Sequence, residues 1–208
     1  MTILKFMKNQ DEHLIKMFSD MFSYSKDSNL SDRSSLFYPS AGRDFITPLI
    51  LGLPYCRNFY FYERCTPKQL PNINKIIEAI KGVSSPSKAI YWKEDESNHF
   101  CDFETDGITR RLNWIHNDNT DFLERDAELC FYFHRGDSWG EGGSGQQWDS
   151  ILLPDLITKI PNKSLCFFVT DGEPGGFEHR SVSDFLLEVK IVKVINRMYH
   201  VGKFIGRT

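Results

Sequence analysis

The sequence predicts an α/β fold: a three-layer α/β/α sandwich in which a mostly parallel sheet lies between two layers of helices. Short apolar runs alternate with segments of helical periodicity, and this alternation is typical of βαβ units. The runs are continuously apolar, as expected of strands that are covered on both faces. The C-terminal part changes to an alternating pattern, which predicts a closing antiparallel β-hairpin over 185–194 and 198–205.

Composition favours one self-sufficient domain. The chain has 208 residues, of which 40% are hydrophobic and 14% aromatic, so it can bury a sizeable core and is not a disordered tail, a coiled coil or a collagen-like repeat. The formal charge is −3 and the pI is near 6.1, whereas nucleic-acid-binding domains are usually far more basic. We therefore expect no nucleic-acid partner and leave the oligomeric state open. The ligand that we expect, at the sheet edge described below, is a small molecule.

The location that the sequence predicts is the cytoplasm. No secretory signal and no membrane-spanning run of apolar residues can be recognised. The five cysteines are odd in number and form no Cys-x-x-Cys pair, which favours reduced, buried thiols over disulfides or a zinc site.

Two regions are expected along the chain. Residues 1–34 should form a helix and a polar linker that pack on the domain, because apolar side chains recur there at helical spacing, at Leu14, Met17, Phe18 and Met21. Residues 35–208 should form the single α/β domain, with an acidic β insertion near 93–116.

Within the domain the expected elements follow in order. The first half predicts a strand at 36–38, a loop at 40–44, a helix at 45–53, a strand at 58–63, a helix at 73–82, a strand at 89–92 and a hairpin of 99–104 with 108–116. The second half predicts a strand at 129–133, a glycine-rich loop at 136–145, a helix at 153–160 and a strand at 165–169. His116, at the end of its strand, is interpreted as structural.

A ligand of such a sheet binds outside the carboxyl ends of the strands. Polar and small residues follow four of the predicted strands. They are Ser40, Ala41, Gly42 and Asp44 after the first strand, Glu63 after the second, His134 and Asp137 after the fourth, and Asp171 after the fifth. Because parallel strands end at one edge, we expect these residues on one side of the molecule.

Glu63 is the candidate for a ribose contact. It comes 21 residues after Gly42, at the end of the next strand, and an acid in that place can accept hydrogen bonds from both ribose hydroxyls. A solvated strand end without a ligand explains the same residue. The fifteen residues from His134 to Trp148 contain five glycines and could mould their backbone around a ligand or act as a lid.

The order of these segments resembles the class I S-adenosylmethionine-dependent methyltransferase fold. The runs LFYPSAGRD and NFYFYE resemble its first strand with the glycine loop and its second strand with the terminal acid, and LCFYFHRGD and LCFFVTDG resemble its fourth and fifth strands. The resemblance implies a Rossmann-like domain with S-adenosylmethionine as cofactor. It places Ser40, Ala41, Gly42, Asp44, Glu63 and Asp171 at the cofactor and the candidate catalytic residues His134 and Asp137 near the reacting end.

Two other functions remain open at this point. Tyr38 to Gly42 contains one glycine where that family has an acid-x-Gly-x-Gly pattern, so the chain is also explained as a non-catalytic binding module on the same fold. The acids after the fourth and fifth strands could serve a metal-dependent hydrolase. No His-x-His or His-Glu-x-x-His spacing supports a metal, and we expect none.

Overall fold

The structure of the chain is a computed structural model. It describes residues 9–22, 30–39, 41, 45–63, 92–95, 98–116, 120–135, 153–162, 164–170, 186–194 and 197–205. The predicted helix at 73–82 and the glycine-rich loop at 136–145 lie outside these residues.

The described part contains four α-helices, one short 3₁₀ helix and nine strands. In chain order they are α1 (Asn9–Met21), β1 (Ser34–Tyr38), α2 (Ile46–Gly52), β2 (Asn58–Tyr62), β3 (Lys93–Asp95), β4 (Asn98–Thr105), β5 (Ile108–Ile115), α3 (Asp121–Glu124), β6 (Glu128–His134), α4 (Leu153–Leu156), the 3₁₀ helix Ile157–Lys159, β7 (Leu165–Thr170), β8 (Leu186–Val194) and β9 (Arg197–Ile205). The four-residue α3 was not predicted, because so short a helix shows no periodicity.

All nine strands form one sheet, in the order β3-β4-β5-β2-β1-β6-β7-β9-β8. The five central strands, β5, β2, β1, β6 and β7, run parallel to one another. The outer pairs at both sides are antiparallel, and β8 and β9 form the closing hairpin. The predicted fold class, with its parallel centre and C-terminal antiparallel hairpin, is therefore confirmed.

Helices cover both faces of the parallel centre. All five residues of β1 are buried, and its three apolar residues alternate between two apolar clusters. Leu36 and Tyr38 pack with α1 and α2 on one side, the α1 face. Phe37 packs with α3 and α4 on the other side, the α3 face. Burial on both sides explains why the central strands are continuously apolar in sequence.

The predicted N-terminal helix is present as α1. Its apolar stripe buries Leu14 and Phe18, and the Phe18 ring lies 5.4 Å from that of Phe131 in β6 and 5.8 Å from that of Phe167 in β7. The helix therefore packs on the sheet itself. The domain boundary at residue 34 stays a prediction.

The predicted hairpin at 99–104 and 108–116 is also present, as β4 and β5. Asp106 and Gly107 connect the strands with positive φ angles of 52° and 73°, which suits a two-residue Asp-Gly turn. β5 also pairs in parallel with β2, so β5 is the third strand of the parallel centre. The run at 89–92 had been expected there; its first three residues lie outside the described part, and Trp92 belongs to no strand.

Gly52 allows the end of α2 to lie close to the sheet. A Cβ atom at this position would lie 2.6 Å from Leu36 Cδ1 and 3.0 Å from Phe59 Cε1. Alanine in a helix normally stabilises it relative to glycine by about 0.5–1 kcal/mol. Here we expect Gly52→Ala to lower the free energy of unfolding by about 1–3 kcal/mol, since both neighbouring side chains are fully buried. Urea denaturation measures this change, and a more stable variant would contradict the close approach.

Candidate functional site

The carboxyl ends of the five parallel strands lie along one edge of the sheet, which we call the carboxyl edge. The pairing is parallel and in register, with Tyr38 opposite Phe61 and Tyr62 opposite Ile115. On the other side of β1, the last residues of β6 and β7, His134 and Thr170, are also paired. Residues that follow these strands are therefore neighbours in space although they are far apart in sequence.

Main-chain hydrogen bonds join three of these strand ends. The Ala41 amide, in the loop after β1, donates to the Tyr62 carbonyl oxygen at 2.8 Å. The Glu63 amide donates to the Ile115 carbonyl oxygen at 3.0 Å. The loop after β1 and the acid after β2 thus lie side by side, with the end of β5 next to the acid.

Glu63 is half-buried, and its main chain makes a second hydrogen bond through its carbonyl oxygen. His116 Nδ1 lies 3.1 Å from the Glu63 carbonyl oxygen. Because a carbonyl oxygen only accepts hydrogen bonds, Nδ1 carries the proton and donates it. The structural interpretation of His116 agrees with this contact, which fixes the position of the acid.

His134 and Thr170 form the opposite end of the carboxyl edge. His134 is 1% exposed, and its Nδ1 lies 3.2 Å from Thr170 Oγ1. Nearby, the Tyr38 hydroxyl donates to the Arg135 carbonyl oxygen at 3.5 Å, which links the ends of β1 and β6. This deep burial favours a role for His134 in shaping the edge; its part in catalysis stays a prediction.

The structure describes three of the predicted site residues, and its hydrogen bonds bring two of them together. Ala41 lies against Tyr62, directly before Glu63, whereas His134 lies on the far side of β1. The other predicted site residues lie outside the described residues: Ser40, Gly42, Asp44, Asp137 and Asp171. Their assignments stay predictions.

Histidine, cysteine and carboxylate side chains are the groups of the described residues that could bind a metal ion or act as nucleophiles. The residues that the structure describes contain no group of three or more His, Cys, Asp or Glu side chains able to hold a metal ion. Cys56, Cys101, Cys130 and Cys166 are free thiols. Burial raises the pKa of Cys101 to about 12 and that of Cys130 to about 11, so neither is a reactive thiolate at neutral pH.

One residue of the carboxyl edge was missed from the sequence. Asn98 begins β4 and pairs with Ile115, the last residue of β5. The first residue of an antiparallel strand lies beside the end of its partner, so Asn98 reaches the carboxyl edge from the amino end of its own strand. The Asp-Gly turn, which sets the register of this hairpin, was the available signal.

Within the described residues, no helix is both long and apolar enough to cross a membrane. No protein-family model matches the sequence, and neither does any curated protein.

Among solved structures, the chain is similar in fold to methyltransferases. One is NodS, an N-methyltransferase from Bradyrhizobium japonicum WM9, with 10% identity and a TM-score of 0.47 over 96% of this chain and 97% of that one. Another is yhhF of Escherichia coli, a protein assigned as a methyltransferase. Its identity to this chain is 10% and the TM-score is 0.43, over 97% of this chain and 89% of yhhF. At this identity, and with TM-scores below 0.5, neither carries a substrate or a cofactor over to this chain.

Proposed function

We propose that this chain binds a nucleoside-type ligand at the carboxyl edge, between the ends of β1 and β2, with S-adenosylmethionine as the first candidate. The observation that carries the proposal is the hydrogen bond from the Ala41 amide to the Tyr62 carbonyl oxygen. It sets the loop after β1 against the residue that precedes Glu63. A ligand lying on this loop would therefore meet an acid at the end of the neighbouring strand.

Each part of the site would have a separate role. Glu63 would accept hydrogen bonds from the ribose hydroxyls, since its carboxylate offers two acceptor oxygens and its main chain is held by Ile115 and His116. Ala41 and the sequence neighbours Ser40, Gly42 and Asp44 would line the ligand from β1, and Asp171 would lie beyond β7. Small side chains at Ala41 and Gly42 suit a close approach of the ligand to the main chain.

The reaction that we propose to test is methyl transfer. S-adenosylmethionine would supply the activated methyl group, and the chain would hold its ligands in a reactive arrangement. His134 and Asp137 would lie near the reacting end. For His134, the contact with Thr170 supports a positioning role more than proton transfer, because the imidazole is almost fully buried.

A titration of the purified chain with S-adenosylmethionine and with S-adenosylhomocysteine tests the binding site. We expect both ligands to bind, and Glu63→Gln to weaken both by about tenfold or more, because hydrogen bonds to a charged acceptor contribute about 1.5–3 kcal/mol. Isothermal titration calorimetry measures the two dissociation constants.

The matched control is Glu104→Gln, since Glu104 is an exposed acid on β4 near the opposite end of β5. It should leave both constants unchanged. Folded protein that releases no heat with either ligand would remove the proposal and leave the non-catalytic binding module as the better explanation. Equal weakening by both variants would exclude a specific role for Glu63.

The free cysteines also support a proposed location. The described thiols are unpaired with one another, and three of them are fully buried. Free thiols persist in reducing compartments, so we propose that the chain works in the cytoplasm.

A further inference from the structure

The two edge strands of the nine-stranded sheet differ in length and in charge. β3, at one edge, has three residues, Lys93–Asp95, and all of them are charged. β8, at the other edge, has nine residues, Leu186–Val194, of which six are apolar. Within the part of the chain that the structure describes, β8 pairs with a strand on one side only, with β9. A long and largely apolar edge strand is a ready template for another strand, whereas a short charged edge resists such pairing.

The β8 strand of a second copy is the partner whose symmetry can be examined residue by residue. Most homo-oligomers are closed by a two-fold axis. A two-fold axis perpendicular to the sheet pairs two identical strands in the antiparallel direction and keeps each residue on its own side of the sheet. Because facing residues of paired strands share a side, the axis must pass between the two copies of one residue. Residues equally far before and after that residue then face each other.

One position of the axis sets opposite charges against each other. With the axis at Val189, the Glu188 position of one copy faces the Lys190 position of the other, and symmetry repeats this contact. Opposite charges at facing positions stabilise a strand pair, and like charges destabilise it. An axis at Glu188 or at Lys190 sets that residue against itself, and an axis at Ile191 sets both charges against valines. Of the four axes from Glu188 to Ile191, the one at Val189 therefore matches the charges of β8 best.

The same axis also matches apolar positions. Val189 faces its own copy, and Leu187 faces Ile191. The pairing of β8 with β9 is irregular between Leu186 and Glu188, whereas the residues from Glu188 onwards pair in regular register. The charged contacts and the axis lie in this regular part, so ordinary strand geometry sets them.

We propose that two copies of this chain form a dimer by antiparallel pairing of their β8 strands about a two-fold axis at Val189. The two sheets join into one continuous sheet, and main-chain groups on the side of β8 away from β9 gain hydrogen-bond partners. Both β8 edges are used up in this contact, and the joined sheet ends on both sides at the charged β3 strand. The assembly therefore closes as a dimer and does not grow into a fibre. The dimer forms with or without the ligand proposed above.

Charge reversal tests the dimer. Sedimentation of the purified chain over a series of concentrations should show a dimer mass that gives way to a monomer on dilution. Glu188→Lys and Lys190→Glu should each weaken the dimer by about tenfold or more, because two attractive contacts become repulsive. The double variant, which exchanges the two charges, should restore the dimer, since every contact again joins opposite charges.

The matched control is Glu94→Lys, which makes the same change at an exposed acid of β3, the other edge strand. It should leave the dimer unchanged, and thermal unfolding shows that each variant is folded. A monomer mass at every concentration overturns the inference, and leaves another segment of the chain or a different partner at the β8 edge. A dimer that neither charge reversal weakens also overturns it, because that dimer uses another surface.

A cysteine at the axis tests the register without changing a charge. Val189→Cys should form an intermolecular disulfide on mild oxidation, because facing Cα atoms of antiparallel strands lie about 4.5–5.5 Å apart, within the range of a disulfide. Ile191→Cys is the control, since its two copies lie about 14 Å apart along the strand direction, which no disulfide spans. The unsubstituted chain gives the background of its own thiols. A covalent dimer from Ile191→Cys and none from Val189→Cys would overturn the inference.

Discussion

Arg110→Met is expected to lower the free energy of unfolding by about 3 kcal/mol or more, measured by urea denaturation. Arg110 is a β5 residue that is only 3% exposed. Its guanidinium donates to the Thr105 carbonyl oxygen at 2.6 Å, to the Thr105 hydroxyl, and to the Leu53 carbonyl oxygen at 3.1 Å. Methionine fills similar space but donates to none of these acceptors, so buried oxygens would lose their donors.

The neighbouring residue provides a control of the same type. Arg111 pairs with Asp102, with Nε 2.7 Å from Oδ1, but about half of its side chain is exposed to solvent. Exposed ion pairs contribute little, so Arg111→Met should cost less than about 1 kcal/mol. Similar losses in both variants would show that the charge matters and that the buried contacts of Arg110 do not.

Phe37→Ala is expected to lower the free energy of unfolding by about 3–5 kcal/mol through the cavity that it leaves. Phe37 lies in the central strand β1 and is fully buried. Its ring stacks on that of Phe122 at 4.5 Å and lies 5.4 Å from the Tyr62 ring. The ring thus joins β1 to α3 and to β2, and thermal or urea unfolding measures the loss of free energy.

Phe100→Ala is the control for this substitution. Phe100 is half-buried on β4, where the Arg111 guanidinium lies 4.9 Å from the centre of its ring. Its removal opens no closed cavity, and we expect a loss of about 1 kcal/mol. If the Phe37→Ala protein were as stable as the Phe100→Ala protein, Phe37 would not be packed in the core as the structure places it.

The parallel centre could be predicted because its strands are apolar on both sides. Runs such as 58–62 and 165–169 offer no polar face, and only a sheet covered on both sides accommodates them. β5 was harder, since Arg110 and Arg111 make its sequence resemble a half-exposed hairpin strand. Arg110 is buried because it meets a carbonyl oxygen from Leu53, 57 residues away in the chain, and no local pattern reveals such a contact.

The candidate site could be predicted to a similar extent. The residues after each strand follow from the parallel arrangement alone, and Ala41 and Glu63 do lie on neighbouring strand ends. Asn98 could not be found in the same way, because it is the first residue of its strand. It lies at the carboxyl edge only because β4 pairs with β5 in the antiparallel direction.

The position of β9 has a consequence for synthesis on the ribosome. β9 follows β8 in the chain but lies between β7 and β8 in the sheet. Until Ile205 has left the exit tunnel, β8 has no strand that could attach it to the parallel centre. The nascent chain therefore carries an unattached β-strand until β9 has emerged, and aggregation or chaperone binding competes with folding during that interval.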